Sequence, residues 1–199
     1  MAEENRESTN IKITPLLGQI RESYGRLVYT HKTHEKEADR QHRFHLRQQW
    51  GLIILTALGT GSFLFSILEI IVPQPISTII ISAVAIFTTW ISLAATTLKF
   101  SEKSEEHRNT ASELWDVRES YISLIADFMS GNITEDEARN RRDELQGTLH
   151  EIYNGAPRTT SKSYKLAREG LKENEELFFT QDEIDLLLPQ VLRILGQGE

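Results

Sequence analysis

Glu69 is the one charged residue in an apolar run of 23 residues, Trp50 to Val72, where it closes a line formed by Gly59, Ser62 and Ser66. The spacing of three, four and three puts all four residues on one helical face. A carboxylate within a membrane is costly and usually faces protein or water, so this face is a candidate lining for an ion path. Glu69 is also only about one turn from Pro73, and a position at the membrane interface is its competing reading. A second run of 23 residues, Ile76 to Leu98, has no charge and carries Thr78, Ser82, Ala85, Thr89, Ser92 and Thr96 in the same rhythm. Ser82, Thr89 and Thr96 are its candidate pore-lining residues. Small and hydroxyl side chains also serve close packing between membrane helices, so both uses stay open.

Two polar sets lie outside these runs. His31 and His34 recur eleven residues later as His42 and His45, three helical turns on. A row of imidazoles could ligate a metal or titrate near pH 6, while polar contacts along a helix seam would account for it equally. Basic residues gather as Arg139, Arg141 and Arg142, then Arg158, Lys162, Lys165, Arg168 and Lys172. Thr159, Thr160 and Ser161 stand before the helix that carries Lys162, and a helix start offers amide donors to an anion. Arg141, Arg142, Arg158, Lys162 and Lys165 are therefore candidate contacts for a nucleotide or oligonucleotide, with pairing to the abundant Glu as the alternative. The sequence has no Walker loop, glycine fingerprint, nucleophile elbow or zincin motif, so neither an enzyme nor a cofactor is expected. It has no cysteine, which excludes disulfides and Cys-based zinc sites, and its net charge of -7 argues against general nucleic-acid binding.

The elements that must position these residues are helices. The chain is 39% hydrophobic and 26% charged, but the apolar weight is concentrated between Trp50 and Leu98. At about 1.5 Å per residue each apolar run is roughly 34 Å long, enough to cross a hydrocarbon core of about 30 Å. They begin too late to be a signal peptide. Only Pro73, Gln74 and Pro75 separate them, which stops one helix, starts the next and makes the two antiparallel neighbours. Lys32, Lys36, Arg40, Arg43 and Arg47 precede the first run, Lys99, Lys103, Arg108 and Arg118 follow the second, and the turn has no Lys or Arg. The positive-inside bias puts both termini in the cytoplasm.

Leu17, Ile20, Tyr24, Leu27, His31, His34 and Ala38 recur at helical spacing and predict a helix that enters the first run unbroken. His107, Ala111, Leu114, Arg118, Tyr121, Ile125 and Phe128 predict a partner helix stopping near Gly131-Asn132. Thr134 with Glu137 opens a helix to about Asn154, another covers Lys162 to Glu176, and Thr180 with Glu183 opens a last one kinked at Pro189. The expectation is an all-α membrane protein, a two-transmembrane helical hairpin continued into a long cytoplasmic stalk with further cytoplasmic helices, assembled as an oligomer. Residues 1–12 form a disordered terminus, 13–49 a cytoplasmic helix, 50–72 and 76–98 the spans, 73–75 the extracytoplasmic turn and 99–199 the cytoplasmic helical region.

Tyr24, His31 and Glu35 before the spans, and His107, Ala111, Leu114-Trp115, Arg118, Tyr121 and Leu124 after them, combine with Gly131-x-Ile133-Thr134, Arg142-Asp143-x-Leu145, Ile152-Tyr153-x3-Pro157-x-Thr159 and Tyr164-x2-Ala167. In this arrangement, over roughly residues 15 to 175, the chain resembles the SLATT family, the two-transmembrane effector domains associated with SMODS and SLOG proteins. The resemblance implies a pore-forming effector of bacterial antiviral defence in the inner membrane. It implies a homo-oligomer, for instance a tetramer, controlled by the nucleotide product of a partner nucleotidyltransferase. A membrane-anchored adaptor that recruits a partner through its cytoplasmic helices, without conducting ions, is the second functional class.

Overall fold

The computed structural model describes residues 14–59, 67 and 70–189, and over these it is helical with no strand. Helix α1, Pro15–Gly59, is 45 residues long. It begins with Pro15 in its first turn and with the Thr14 Oγ1 accepting the Leu17 N–H at 3.2 Å. At about 1.5 Å per residue α1 is roughly 67 Å long, twice what a bilayer core can hold, so its polar half must lie outside. Ser62, Ser66 and Glu69, with most of the rest of the first apolar run, lie outside the described residues, as does the expected N-terminal disorder.

Helix α2, Gln74–Leu98, starts after Pro73, with Pro75 in its first turn, two residues earlier than the apolar run itself. Its outer surface is apolar, with Ile86 71% and Trp90 62% exposed. A core helix of a water-soluble domain would have covered these side chains. Helix α3, Phe100–Met129, continues from α2 across a single residue, Lys99, in the left-handed conformation (φ 48°, ψ 45°). No glycine or proline marks this break, which falls where the apolar run ends.

Three contacts fix how α3 returns along α1. Phe100 meets Phe44 with ring centroids 5.4 Å apart, the Ser104 hydroxyl donates to the Ala38 carbonyl at 2.9 Å, and His107 meets His34. Partner numbers fall as the α3 numbers rise, so the pair is antiparallel, as the sequence predicts. Further from the membrane end the seam becomes the hydrophobic core: Leu16, Ile20 and Leu27 of α1 against Leu114, Val117, Tyr121 and Leu124 of α3. Helix α4, Glu135–Gly155, opens on the Thr134/Glu137 capping box and adds Ala138 and Leu149 to this core. The preceding turn has Gly131 at φ 74°, with the Asn132 N–H on the Asp127 carbonyl, the expected helix stop.

Helix α5, Ser161–Lys172, lies against α1 and ends four residues before the predicted Glu176. Glu175 takes a positive φ of 51°, and the Glu176 N–H turns back to the Gly170 carbonyl at 3.0 Å. Helix α6, Gln181–Leu187, has the expected Thr180/Glu183 capping box and stops two residues before Pro189. The conformation preceding a proline favours extended backbone, and Leu188 has ψ 147°.

Candidate functional site

The hydroxyl stripe of α2 faces outward. Ser82, Thr89 and Thr96 are exposed, whereas Ser77, Ile81, Val84, Thr88 and Ile91 form the more covered face. Thr89 Oγ1 donates to the Ala85 carbonyl and Thr96 Oγ1 to the Leu93 carbonyl, each at 2.9 Å. Hydroxyls bonded to their own helix carbonyls need no partner across a helix interface and retain lone pairs for water. Gly59 is the last residue of α1.

The five cytoplasmic basic residues are placed differently from one another. Arg142 is 9% exposed and is held by Asp143, with its Nη2 at 2.6 Å from Oδ1, and by Gln19. Arg141 Nη1 pairs with Asp127 Oδ2 at 2.9 Å. Arg158, Lys162 and Lys165 are exposed and make no ion pair among the described residues. The side chain of Thr160 accepts the Ser163 N–H at 3.3 Å, capping the helix that carries Lys162 and Lys165.

A buried polar layer that composition and periodicity did not reveal joins α1, α3 and α5 above the core. Glu37 has no exposed surface, yet its carboxylate accepts hydrogen bonds from Arg40, from Gln41 Nε2 at 2.7 Å, from Thr160 Oγ1 at 2.7 Å and from the Ser163 hydroxyl. Burial works to raise its pKa, but these donors prevail and lower it to about 2. The Glu37 anion thereby ties the start of α5 to the middle of α1. Next to it the Nδ1 atoms of His34 and His107 lie 3.0 Å apart, one donating to the other. Burial, then the neighbouring His107, pushes the His34 pKa down to about 4, and burial also lowers those of His31 and His107. His31 and His34 are buried, His42 is exposed and His45 is half-buried, so cover thins along the histidine face as it approaches the membrane. Among the described residues no group of three or more His, Cys, Asp or Glu is disposed to hold a metal ion.

On the other side of α1, Lys32 and Lys36 share the carboxylate of Glu176. Their hydrogen bonds, Lys32 first, hold the Glu176 pKa down at about 2. The periodicity placed the seam, but only the packing of α5 on α1 brings Thr160 and Ser163, at its start, and Glu176, just beyond its end, to it.

This arrangement, two long antiparallel helices with an apolar outward-facing continuation, accords with the family that the chain matches. The family described as SMODS and SLOG-associating 2TM effector domain family 4 matches residues 16–183. The chain belongs to this SLATT family. The match covers the polar layer, the first five helices except Pro15, and the first three residues of the sixth. No curated protein and no solved structure matches the chain.

Proposed function

We propose that this SLATT protein, a two-transmembrane effector of antiphage defence by its family, acts as an ion channel. In this reading several copies assemble in the bacterial inner membrane around a water-filled axis. A nucleotide or oligonucleotide made by a partner nucleotidyltransferase controls opening, and the open pore depolarises the membrane and aborts infection. The observation that carries the reading is the outward Ser82, Thr89 and Thr96 stripe on a helix whose large exposed side chains are apolar. A single copy in lipid gains little from such a stripe, whereas a ring of copies can turn it inward toward water and leave Ile76, Phe87 and Trp90 to lipid and neighbours. The first apolar run would supply Gly59, Ser62, Ser66 and Glu69 to the same axis. Arg141, Arg142, Arg158, Lys162 and Lys165 remain candidate ligand contacts, with Arg158, Lys162 and Lys165 the readily available ones.

Purified protein in planar bilayers, with and without nucleotides, tests this reading. Discrete single-channel steps that change with a nucleotide are expected. Silent bilayers under all conditions, from protein that is inserted and oligomeric, would instead identify a non-conducting adaptor.

A further inference from the structure

A cleft of about 480 Å³ opens between α1 and α3 on the side away from Glu37. Lys32 and Lys36 stand one turn apart on its α1 wall, and Arg108 and Trp115 line its α3 wall. The two ammoniums already share one anion, Glu176, and Lys32 Nζ also donates to Glu35 Oε2 at 2.8 Å. Lys36 Nζ donates to both oxygens of the Glu176 carboxylate at 2.7 and 2.8 Å, and Lys32 Nζ is 2.8 Å from its Oε2. Two converging ammoniums on a pair of oxygens is the arrangement in which lysines bind phosphate as point charges.

The backbone places Glu176 there deliberately. Glu175 holds a positive φ of 51°, a conformation that L side chains rarely adopt, and Glu176 is bonded back to Gly170. Gly170 has no side chain to obstruct it, since a Cβ there would stand 2.9 Å from the Glu176 carboxylate atoms. His31 lines the same cleft and is only 4% exposed, and its Nδ1, which has no hydrogen-bond partner among the described residues, is itself buried. Its Nε2 is 3.8 Å from Glu35 Oε1, beyond a hydrogen bond.

We propose that this cleft binds a small phosphorylated ligand of nucleotide size, whose phosphate takes the place between Lys32 and Lys36 that the Glu176 carboxylate now holds. Glu176 is then a built-in competitor: ligand entry frees the segment after α5, and ligand loss lets it close. With Glu176 displaced, Lys32, Lys36 and Arg108 outnumber Glu35 and Asp39 in the lining. Trp115, 48% exposed, offers a ring face to a base. The volume lies within the range of about 300–1,000 Å³ typical of small-molecule sites. A lipid phosphate cannot reach it, because Lys36 is fourteen residues, roughly 21 Å along the helix, from Trp50 at the start of the apolar run. That occupancy alters conductance rests on the channel reading above, whereas binding itself does not.

Calorimetry on the full chain in detergent, with ATP, inorganic pyrophosphate and adenosine as probes, provides the test. Glu176→Gln keeps the shape of the latch and removes its charge, so ATP and pyrophosphate should bind about tenfold more tightly than to wild type. In that background, which has no charged latch to disturb, Lys32→Gln and Lys36→Gln should each cost about tenfold, and Lys36→Arg should restore most of it. Trp115→Leu should abolish the advantage of ATP over pyrophosphate. Equal affinities for wild type and Glu176→Gln, or no binding of ATP or pyrophosphate to either at millimolar concentration, would overturn the proposal. So would a loss of binding on Lys162→Gln with none on Lys36→Gln, which would move the site to α5.

Discussion

A buried carboxylate and buried imidazoles meet the loss of water in opposite ways, and their difference sets the pH response of the cytoplasmic helices. Glu37 stays ionised because four side chains donate to it. His34, facing His107 with Glu37 and Arg40 nearby, stays neutral. An unfolded histidine takes up a proton below about 6.5, but folded His34 resists until about 4. Its depressed pKa therefore contributes stability that is present above pH 6.5 and is lost as the pH falls toward 4. His31 and His107 act in the same direction. Glu37 and Glu176, lowered from 4.5 to about 2, lose their contributions only below about pH 4.5. The window between pH 6.5 and 5 thus belongs to the histidines. The apparent Tm of the purified protein should fall from pH 7 to pH 5, and His34→Gln should flatten that slope by up to about 1.4 kcal/mol per pH unit. An unchanged slope would mean that His34 is already solvated. The histidine spacing announced a seam, yet it could not announce the His34–His107 contact, because periodicity within one helix says nothing about which residue of a distant helix will stand opposite.

Helix ends show the same division between what is local and what is not. The two capping boxes, the Gly131 stop and the break at Gly155 to Pro157 involve residues within a few positions of one another, and each was legible in the sequence. The end of α5 was not, since Glu176 leaves the helix to reach Lys32 and Lys36, about 140 residues earlier in the chain. The α2–α3 break at Lys99 was hidden for a different reason: the apolar pattern ends there, but nothing in Leu98-Lys99-Phe100 favours a positive φ. The conformation is imposed by packing, with Phe100 on Phe44 and the Arg40 guanidinium 5.7 Å from the centre of the Phe44 ring. A non-glycine residue held there costs about 1–2 kcal/mol. Lys99→Gly should relieve much of this, giving a gain of about 1 kcal/mol in denaturant unfolding, since the exposed Lys99–Glu102 ion pair that it loses is worth little. A loss of stability would show instead that Lys99 is needed at the membrane boundary as a charge.

For the whole molecule, what the sequence made most legible was the concentration of apolar residues in two runs and of Lys and Arg outside them, both consequences of bilayer solvation and not of contacts. Orientation is tested by single cysteines at Gln74 and Ser161, both exposed positions in a chain with no native cysteine. An impermeant thiol reagent applied to intact cells should label Gln74→Cys and spare Ser161→Cys, and the reverse pattern would overturn the inward placement of both termini. Glu69 lies outside the described residues, and the proposed topology would put it, four residues before Pro73, toward the outer mouth of the proposed pore. One such carboxylate per subunit makes a ring in a symmetric assembly, and a ring of carboxylates attracts cations and repels anions. Glu69→Gln keeps the size of the side chain and removes the charge. The wild type should therefore prefer cations, and Glu69→Gln should lower both that preference and the single-channel current while leaving the oligomer intact by size-exclusion chromatography. Reversal potentials across a salt gradient decide the matter: an identical permeability ratio in the two proteins would put Glu69 against headgroups or a neighbouring helix, because a charge that lines the only route for ions cannot be removed without changing which ions take it.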